Sequence, residues 1–316
     1  MMRYTIKRLL LAIPTLLAML TAVFVLVRLV PGDPAAAMLG DQASASALAA
    51  LRTQLGLNLP LHTQYLNFLG DALRGNFGYS LSNGQSVLRE VAEVLPWTLQ
   101  LTFASIVIGI GLGLPLGIWA ALRRDAWPDY VSRLFSLAGL SFPAFVSGIL
   151  MLLVFAIELN WFPVIGSTTS GNPWSQWRGL VLPAFNLGLI MMAYVTRVAR
   201  SSMLSVLSED YIRTARAKGA GEWQVLWRHA MPNALVPVLT ILGMQFSFLL
   251  AGGVIIENVF FLPGLGRLVF QAIVQRDLIV VQSVVVILVI AVMLVTFAVD
   301  LSYTLVNPRL RAADGS

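Results

Sequence analysis

The sequence contains no cysteine, which excludes disulfide bonds, cysteine-ligated zinc, iron–sulfur clusters and thiol catalysis. Charged residues are also scarce. Asp, Glu, Lys and Arg make up 11% of the 316 residues, against roughly 25% in an average soluble domain. Apolar side chains make up 58% of the chain, and the mean hydropathy is +0.80. So few charges cannot cover a water-facing surface of ordinary size, and the composition therefore indicates an integral membrane protein.

Catalytic groups are equally scarce. The only histidines, His62 and His229, fall on opposite sides of the membrane in the topology predicted below, so they cannot share a site. Neither lysine follows a glycine, which excludes a G-x-x-x-x-G-K-[ST] phosphate-binding loop. The sequence therefore predicts no catalytic residue, no metal site and no cofactor in this chain, and the energy for any work must come from elsewhere.

Six apolar stretches are long enough to cross about 30 Å of hydrocarbon. They cover residues 9–30, 97–121, 134–157, 180–196, 234–258 and 279–307. The fourth is the shortest, and Pro183 and Asn186 interrupt it. Residues 259–278 are also apolar, but Pro263 and Arg267 favour an interfacial or re-entrant segment over a seventh span.

The distribution of basic residues predicts which loops face the cytoplasm. With a cytoplasmic N-terminus, the interior segments hold 14 Lys or Arg among 66 residues, and the exterior segments hold six among 108. The interior segments are 1–8, 122–133, 197–233 and 308–316, and the exterior segments are 31–96, 158–179 and 259–278. We therefore predict an all-α polytopic protein with both termini inside, in which the net charge of +6 marks orientation and not a nucleic-acid partner.

Four regions follow from this topology. They are the N-terminus with the first span (1–30), an exterior segment (31–96), a core of five spans (97–307) and a cytoplasmic tail (308–316). The exterior segment shows helical patterning near 44–54 and 62–74, with turn signals at Gly75-Asn76 and Asn83-Gly84. It is too small and too poor in core-forming residues for an independent enzyme domain.

The longest interior segment, 197–233, has the clearest helix signals. Ser208 is placed to cap a helix whose first turn carries Glu209 and Asp210. Gly219 is placed to end that helix in the left-handed conformation.

A second short helix is predicted from Glu222 to a break at Pro232. Its apolar residues recur at i, i+3, i+4 and i+7, which places them on one face. They are Trp223, Leu226, Trp227 and Ala230. The pattern indicates an amphipathic helix at the membrane surface between two spans, and a plain interfacial helix is the alternative interpretation.

The run DYIRTARAKGA at 210–220, continued by WRHAMPNA at 227–234, resembles the cytoplasmic-loop motif of binding-protein-dependent ABC importer permeases. That motif is written Glu-Ala-Ala, three residues, Gly, and then an apolar–Pro ending. Gly219 and Pro232 lie 13 positions apart, as the motif requires, and Ala215 matches its second alanine.

The resemblance extends over nearly the whole chain. Arg213 and Thr214 stand where many family members have Glu and the first Ala, a variant that resembles the peptide-permease branch. Five other motifs also resemble dipeptide and oligopeptide permeases: Pro31-Gly32-Asp33-Pro34, Leu55-Gly56-Leu57 with Gln64-Tyr65, Gly75-Asn76-Phe77-Gly78, Pro263-Gly264-Leu265-Gly266-Arg267 and Asn307-Pro308-Arg309. Close relatives in this branch include permeases for nickel and glutathione, so the resemblance does not identify the substrate.

The resemblance implies one permease half of a type I ABC importer, a multi-pass protein of the bacterial inner membrane in contact with lipid. Such a subunit works with a second homologous permease, with two ATP-binding subunits that hold ATP and Mg, and with an extracytoplasmic substrate-binding protein. It further implies that the loop at 213–228 couples the permease to an ATP-binding subunit. The residues expected in this contact are Arg213, Ala215, Gly219, Ala220, Glu222, Trp223, Trp227 and Pro232.

Three polar residues in the spans are candidates for the transport pathway, because polar groups inside a membrane are rare and often functional. They are Asn186, Glu257 and Asp300. Both carboxylates lie near span ends, where solvation or pairing is the alternative, and a helix–helix hydrogen bond is the alternative for Asn186. Gly109, Gly113 and Gly117 form a small-residue stripe that predicts close packing against an unspecified helix.

The leading prediction is import of di- or oligopeptides by an ABC importer permease, with nickel or glutathione as alternative cargo within the same family. A secondary transporter driven by an ion gradient is the alternative from another class, and it would need more charged groups deep in the spans. An intramembrane hydrolase is excluded by the separation of the two histidines and by the absence of nucleophile motifs.

Overall fold

The computed structural model describes residues 2–29, 34–39, 44–164 and 173–306, and the regular elements in those ranges are helices. The chain begins with α1 (Met2–Leu29), α2 (Pro34–Leu39), α3 (Ala45–Gln54), α4 (Leu61–Arg74), α5 (Val87–Leu122), α6 (Trp127–Ser141), α7 (Ala144–Met151) and the π-helix π1 (Leu152–Glu158). It continues with α8 (Pro173–Leu207), α9 (Asp210–Ala217), α10 (Glu222–Gln224), the π-helix π2 (Val225–Ala230), α11 (Met231–Gly252), α12 (Val254–Val259), α13 (Leu265–Val274) and α14 (Leu278–Val306). The family motifs at 31–33 and 307–309 and the predicted tail at 308–316 lie outside the described residues.

Within the residues that the structure describes, five helices are long and apolar enough to cross a membrane. They are Leu10–Leu29, Val87–Leu122, Gln176–Leu207, Glu222–Leu250 and Leu278–Ala298. The pair formed by α6 with α7 and π1 is bent by 99°, and it supplies the sixth crossing when it is counted as one broken span.

The predicted third span, 134–157, is wrong in its boundaries and its shape. α6 already begins at Trp127 and ends at Ser141. Phe142 is extended, with φ −85° and ψ 129°, which is the conformation that a residue before proline favours. Pro143 has no amide hydrogen with which to continue the helix, so the chain bends here.

The predicted fourth span, 180–196, is too short. α8 is one helix of 35 residues that continues through Pro183. Proline is tolerated inside packed membrane helices because neighbouring groups compensate the lost hydrogen bond, and α8 contacts α6, α7 and α11. The predicted interruption at Pro183 and Asn186 is therefore wrong, and α8 extends to Leu207, inside the predicted interior loop.

The predicted fifth span, 234–258, begins too late and extends too far. Its helix already starts at Glu222, and α11 ends at Gly252, before a new short helix, α12. The following α13 has ten residues, too few to cross a membrane, in keeping with the prediction of an interfacial or re-entrant segment at 259–278.

The described residues form two compact units. Unit 1 comprises residues 99–262 and 295–306, and unit 2 comprises residues 2–98 and 263–294, so that α5 and α14 contribute to both. The main core of unit 1 joins α5, α7, α8, α11 and α12. In unit 2 one core joins α5, α13 and α14, and another joins α1, α4 and α14.

The helices and turns predicted between residues 44 and 84 are confirmed. α3 and α4 occupy the two stretches that have helical patterning. Gly75 ends α4 with φ +70°, and Gly84 has φ +71° in the following turn. Both turns need a positive φ, which glycine adopts without steric strain.

The glycine stripe of α5 packs against α8 within unit 1. A methyl group on Gly113 would lie 2.8 Å from a backbone oxygen of α8, and one on Gly117 would lie 2.7 Å from the backbone oxygen of Thr196. The space for such a methyl group on Gly109 is occupied by the side chain of Met191 of α8. The Thr196 hydroxyl donates to the Gly113 carbonyl at 3.2 Å, so the close approach also allows an interhelical hydrogen bond.

We expect Gly117→Ala to destabilise the protein by about 1–3 kcal/mol, because the added methyl group meets backbone that cannot move aside cheaply. Gly111→Ala is the matched control on the same helix, since no atom lies within 4 Å of its added methyl group among the described residues. Thermal unfolding of both variants in detergent measures the difference. Equal melting temperatures would contradict the assignment of this stripe to close packing.

Candidate functional site

The predicted interior loop, 197–233, starts within α8, and its first separate helix is α9, whose first residue is Asp210. Its N-cap is Glu209, and no side chain caps the helix, so the prediction that Ser208 caps it is wrong. The Ser208 hydroxyl instead donates to the Ser205 carbonyl at 2.7 Å. This bond forms because α8 extends to Leu207, which places Ser208 in the turn that ends it.

Gly219 ends α9 as predicted, with φ +87°. Its N–H donates to the Arg216 carbonyl at 2.9 Å, and the Ala220 N–H donates to the Ala215 carbonyl at 3.1 Å, which is the bond pair of a Schellman motif. Both alanines are half-buried. Among the described residues nothing crowds the position that a Cβ on Gly219 would take, so the backbone conformation alone requires glycine here.

The second predicted helix does not end at Pro232, so the predicted break is wrong. α10, π2 and α11 follow one another without interruption, and Pro232 lies in the first turn of α11, directly after π2. A π-turn spaces its hydrogen bonds more widely than an α-turn, which relieves the clash between a proline ring and the preceding carbonyls. The loop therefore continues directly into a helix long enough to cross the membrane.

The π-turn also changes which side chains are buried. Val225, Leu226 and Ala230 are buried, whereas Trp223 is 73% exposed and Trp227 is 48% exposed. The predicted single face, which combined both tryptophans with Leu226 and Ala230, is therefore wrong. The wider turn brings Val225 inward, and the two indole rings lie on the exposed surface with centroids 5.4 Å apart.

A buried apolar cluster holds the loop against the ends of three helices in unit 1. Ile212 of α9 and Val225 of π2 are fully buried in this cluster. Ala121 of α5, Met203 of α8 and Met231 of α11 pack around them. Because close-packed side chains deform little, a displacement of the loop would be transmitted to these helices.

The exposed side of the loop is charged. Arg216 donates from Nε and Nη2 to the Glu222 carboxylate at 2.8 and 3.1 Å, and this hydrogen-bonded carboxylate raises the pKa of Arg216 above its ordinary value. The ion pair ties α9 to α10 across the Gly219 turn. Arg213 donates to Asp210 at 3.3 Å within its own helix, and both side chains are largely exposed.

Sequence reasoning missed a buried ion-pair cluster in unit 1. The Asp129 carboxylate is fully buried and accepts hydrogen bonds from Arg200 on α8 and from Arg133 on α6, the latter at 2.6 and 3.1 Å. The Asp125 backbone N–H donates to the same carboxylate at 3.0 Å. The i, i+4 spacing of Asp129 and Arg133 was a signal in the sequence. The partner on α8 is 71 residues away, and no local pattern indicates it.

The predicted pathway residues have different surroundings. Asn186 is buried and ties α8 to α7, since its Nδ2 donates to the Ala144 carbonyl at 2.9 Å and its Oδ1 accepts from the Ser147 hydroxyl at 2.7 Å. This geometry agrees with the alternative of a helix–helix hydrogen bond. Glu257 is buried in α12. Asp300 belongs to α14, but its side chain is outside what the structure describes.

A cavity of about 270 Å³ lies in unit 1 among residues of α6, α7, α8, α11 and α12. Its lining is mostly apolar, with Tyr194 and Gln245 as the residues that can hydrogen-bond through their side chains. Neither Asn186 nor Glu257 lines it. Sequence reasoning missed Tyr194 and Gln245, because nothing in their spacing distinguishes them from other polar residues in spans.

Two family models match most of the chain. The model described as "Binding-prot-dependent transport system membrane comp, N-term" matches residues 1–102. The model described as "Binding-protein-dependent transport system inner membrane component" matches residues 113–312, which include the loop at 213–228. Among solved structures, an inward-facing form of the MetNI methionine ABC transporter has a TM-score of 0.56 at 20% identity, covering 69% of this chain and 96% of that one. This likeness confirms the predicted permease fold.

Curated relatives match at nearly full length. The glutathione transport system permease protein GsiC of Salmonella choleraesuis (strain SC-B67) is 41% identical over 311 residues, which cover 98% of this chain and 99% of the relative. GsiC of Escherichia coli (strain K12) is 40% identical with the same coverage. The chain therefore belongs to the family of binding-protein-dependent transport system inner membrane components, as an ABC importer permease of the peptide, nickel and glutathione group.

Proposed function

We propose that this chain forms half of the translocation pathway of an importer for short peptides. It works with a second homologous permease, two ATP-binding subunits and an extracytoplasmic substrate-binding protein. The main support for this proposal is that nearly the whole chain matches permeases of one import family. Membership of this family favours ATP-coupled import across the bacterial inner membrane over the ion-gradient alternative.

Among short peptides, we propose glutathione or a similar tripeptide as the cargo. The support is the 41% identity to a glutathione permease, which is far above the level at which only a fold is shared. Glutathione was the alternative cargo to di- and oligopeptides in the sequence-based prediction, and it is itself built from three amino acids.

Deletion of the gene should lower uptake of radiolabelled glutathione and tri-alanine by the host cell at least roughly tenfold, and the wild-type gene should restore it, because a half-pathway cannot support import. Uptake of radioactive nickel is the comparison and should not change. A deletion strain that takes up both peptides normally and loses nickel uptake would contradict the proposed cargo. Uphill uptake by the chain alone in liposomes, without an ATPase subunit, would contradict the proposed class of transporter.

We assign the contact with an ATP-binding subunit to the exposed side of residues 213–228. Trp223 and Trp227 are large exposed aromatic side chains next to charged groups, and tryptophan and arginine dominate the binding energy of protein interfaces. The opposite side is anchored by Ile212 and Val225 to the ends of three helices. A subunit that moves this segment would therefore move the helices of the pathway.

Gly219→Val should uncouple ATP hydrolysis from transport. A β-branched residue at φ +87° is strained by about 1–3 kcal/mol, so the turn between α9 and α10 should change. Gly221→Val is the matched control, since Gly221 has φ −66° and open space around its Cβ position among the described residues. In the reconstituted complex, the first variant should move roughly tenfold less peptide per ATP. The second should stay within about twofold of the wild type.

A second pair of variants separates docking from folding. Trp223→Ala removes an exposed ring and should lower co-purification of the ATP-binding subunits roughly tenfold. Trp161→Ala removes a ring that is 57% exposed in a segment predicted to be exterior, and it should leave assembly unchanged. Normal assembly of Trp223→Ala together with normal transport by Gly219→Val would overturn the coupling assignment.

A further inference from the structure

Unit 2 contains a cleft of about 500 Å³, and none of the residues proposed for coupling lines it. The end of α1, the loop at 55–61, α4 and the first turns of α14 line it. Its volume lies within the range of small-molecule sites, about 300–1,000 Å³. In the predicted orientation the cleft is on the exterior side of the membrane.

A fixed guanidinium group marks one end of this cleft. Arg28 donates from Nε and Nη2 to Oε1 of Gln64 at 3.1 and 2.9 Å. The Gln64 amide donates in turn to the carbonyls of Leu59 at 2.8 Å and Leu57 at 3.3 Å, which fixes its oxygen towards the arginine. The guanidinium also lies 3.6 Å from the centroid of the Phe24 ring. These contacts hold a positive charge in one place before any ligand binds.

A carboxylate marks the other end. Asp71 lines the cleft on the same helix as Gln64, and it accepts a hydrogen bond from the Asn76 amide at 3.3 Å. This bond is long for a charged acceptor, so the carboxylate retains capacity for a cationic partner. Phe68 and Asn67, between the two ends on α4, also line the cleft.

The spacing of the two charges follows from the helix. Gln64 and Asp71 are seven residues apart, so they lie on one face of α4, and a rise of 1.5 Å per residue separates their Cα atoms by about 10 Å along the helix axis. Three residues of extended chain span about 10 Å as well. With a contact of about 3 Å at each end, a tripeptide with free termini can reach both the guanidinium and the carboxylate, and a zwitterionic lipid headgroup places its opposite charges much closer together than such a peptide does.

We propose that this cleft is an exterior binding site for a tripeptide with free termini, whose carboxylate contacts Arg28 and whose ammonium group contacts Asp71. The proposal rests on the proposed function, because it takes the cleft to hold the same cargo outside the membrane pathway. Gln282 on α14 and Asn67 on α4 are placed along the cleft to bond the peptide backbone. Phe68 and Ile279 supply apolar surface for its side chains.

Binding of tri-alanine to the full-length chain in lipid nanodiscs tests the site. Tri-alanine should bind, whereas N-acetyl-tri-alanine amide, which lacks both terminal charges, should bind at least roughly tenfold more weakly. Equal affinity for tri-alanine and N-acetyl-tri-alanine amide, or no binding of tri-alanine, would overturn the proposal.

Charge-removing variants show which end each terminus contacts. Asp71→Asn should weaken tri-alanine binding roughly tenfold and leave binding of N-acetyl-tri-alanine unchanged. Arg28→Gln should weaken tri-alanine binding to a similar extent and leave binding of tri-alanine amide unchanged. Arg74→Gln is the control on the same helix, since Arg74 does not line the cleft. A misfolded variant would lose affinity for every probe. Loss of affinity for every probe in both Asp71→Asn and Arg28→Gln would overturn the assignment of the two peptide termini to these residues.

Uptake by whole cells separates this proposal from the proposed function. If the Asp71→Asn and Arg28→Gln strains import tri-alanine normally and the isolated chain does not bind it, the cleft assignment fails and the importer assignment stands. If the purified chain binds tri-alanine but deletion of its gene leaves all peptide uptake by the cells unchanged, the importer assignment fails. If Asp71→Asn weakens only capture of the substrate-binding protein, the cleft holds a segment of that protein and the tripeptide proposal is overturned.

Discussion

The close contact between α5 and α8 is the feature on which the rest of unit 1 depends. It needs glycine at 113 and 117, where any larger residue would meet the backbone of α8. With α8 in this position, Asn186 bonds to α7, Arg200 bonds to Asp129 on α6, and Met203 packs in the apolar cluster with Ile212 of α9. One helix thus connects the main apolar core to the segment from α9 to π2, so a change in that segment affects the same contacts that hold the core together.

The segment from α9 to π2, to which the coupling role is assigned by proposal, combines a rigid attachment with an exposed surface. Ile212 and Val225 are buried against helix ends, while Trp223 and Trp227 remain exposed on the same short segment. The Schellman turn at Gly219 sets the angle between α9 and α10, and π2 continues without a break into α11. A hinged loop would absorb a displacement imposed by a neighbouring subunit, whereas a continuous helix transmits it, which suits the coupling role proposed for this segment.

Sequence reasoning succeeded where the physical cause is local and failed where a neighbour changes the outcome. The turns at Gly75 and Gly219 are confirmed, since a positive φ is a property of one residue. The cap at Ser208 is wrong because its hydroxyl bonds to the preceding helix, and the break at Pro232 is wrong because a π-turn precedes the proline. In each error the residue type was interpreted correctly, but its partner or its helical geometry was not.

Composition, hydropathy and the distributed motifs by themselves determined that the chain is a polytopic membrane protein of an import family, since membrane insertion depends on the number of apolar residues in a row. The tertiary structure alone decided which side of π2 is buried and how Asp129 pairs with Arg200. It also decided how α1, α4 and α14 together line the charged cleft in unit 2. These features depend on contacts between residues far apart along the chain, and helix periodicity cannot specify which helices come to lie side by side.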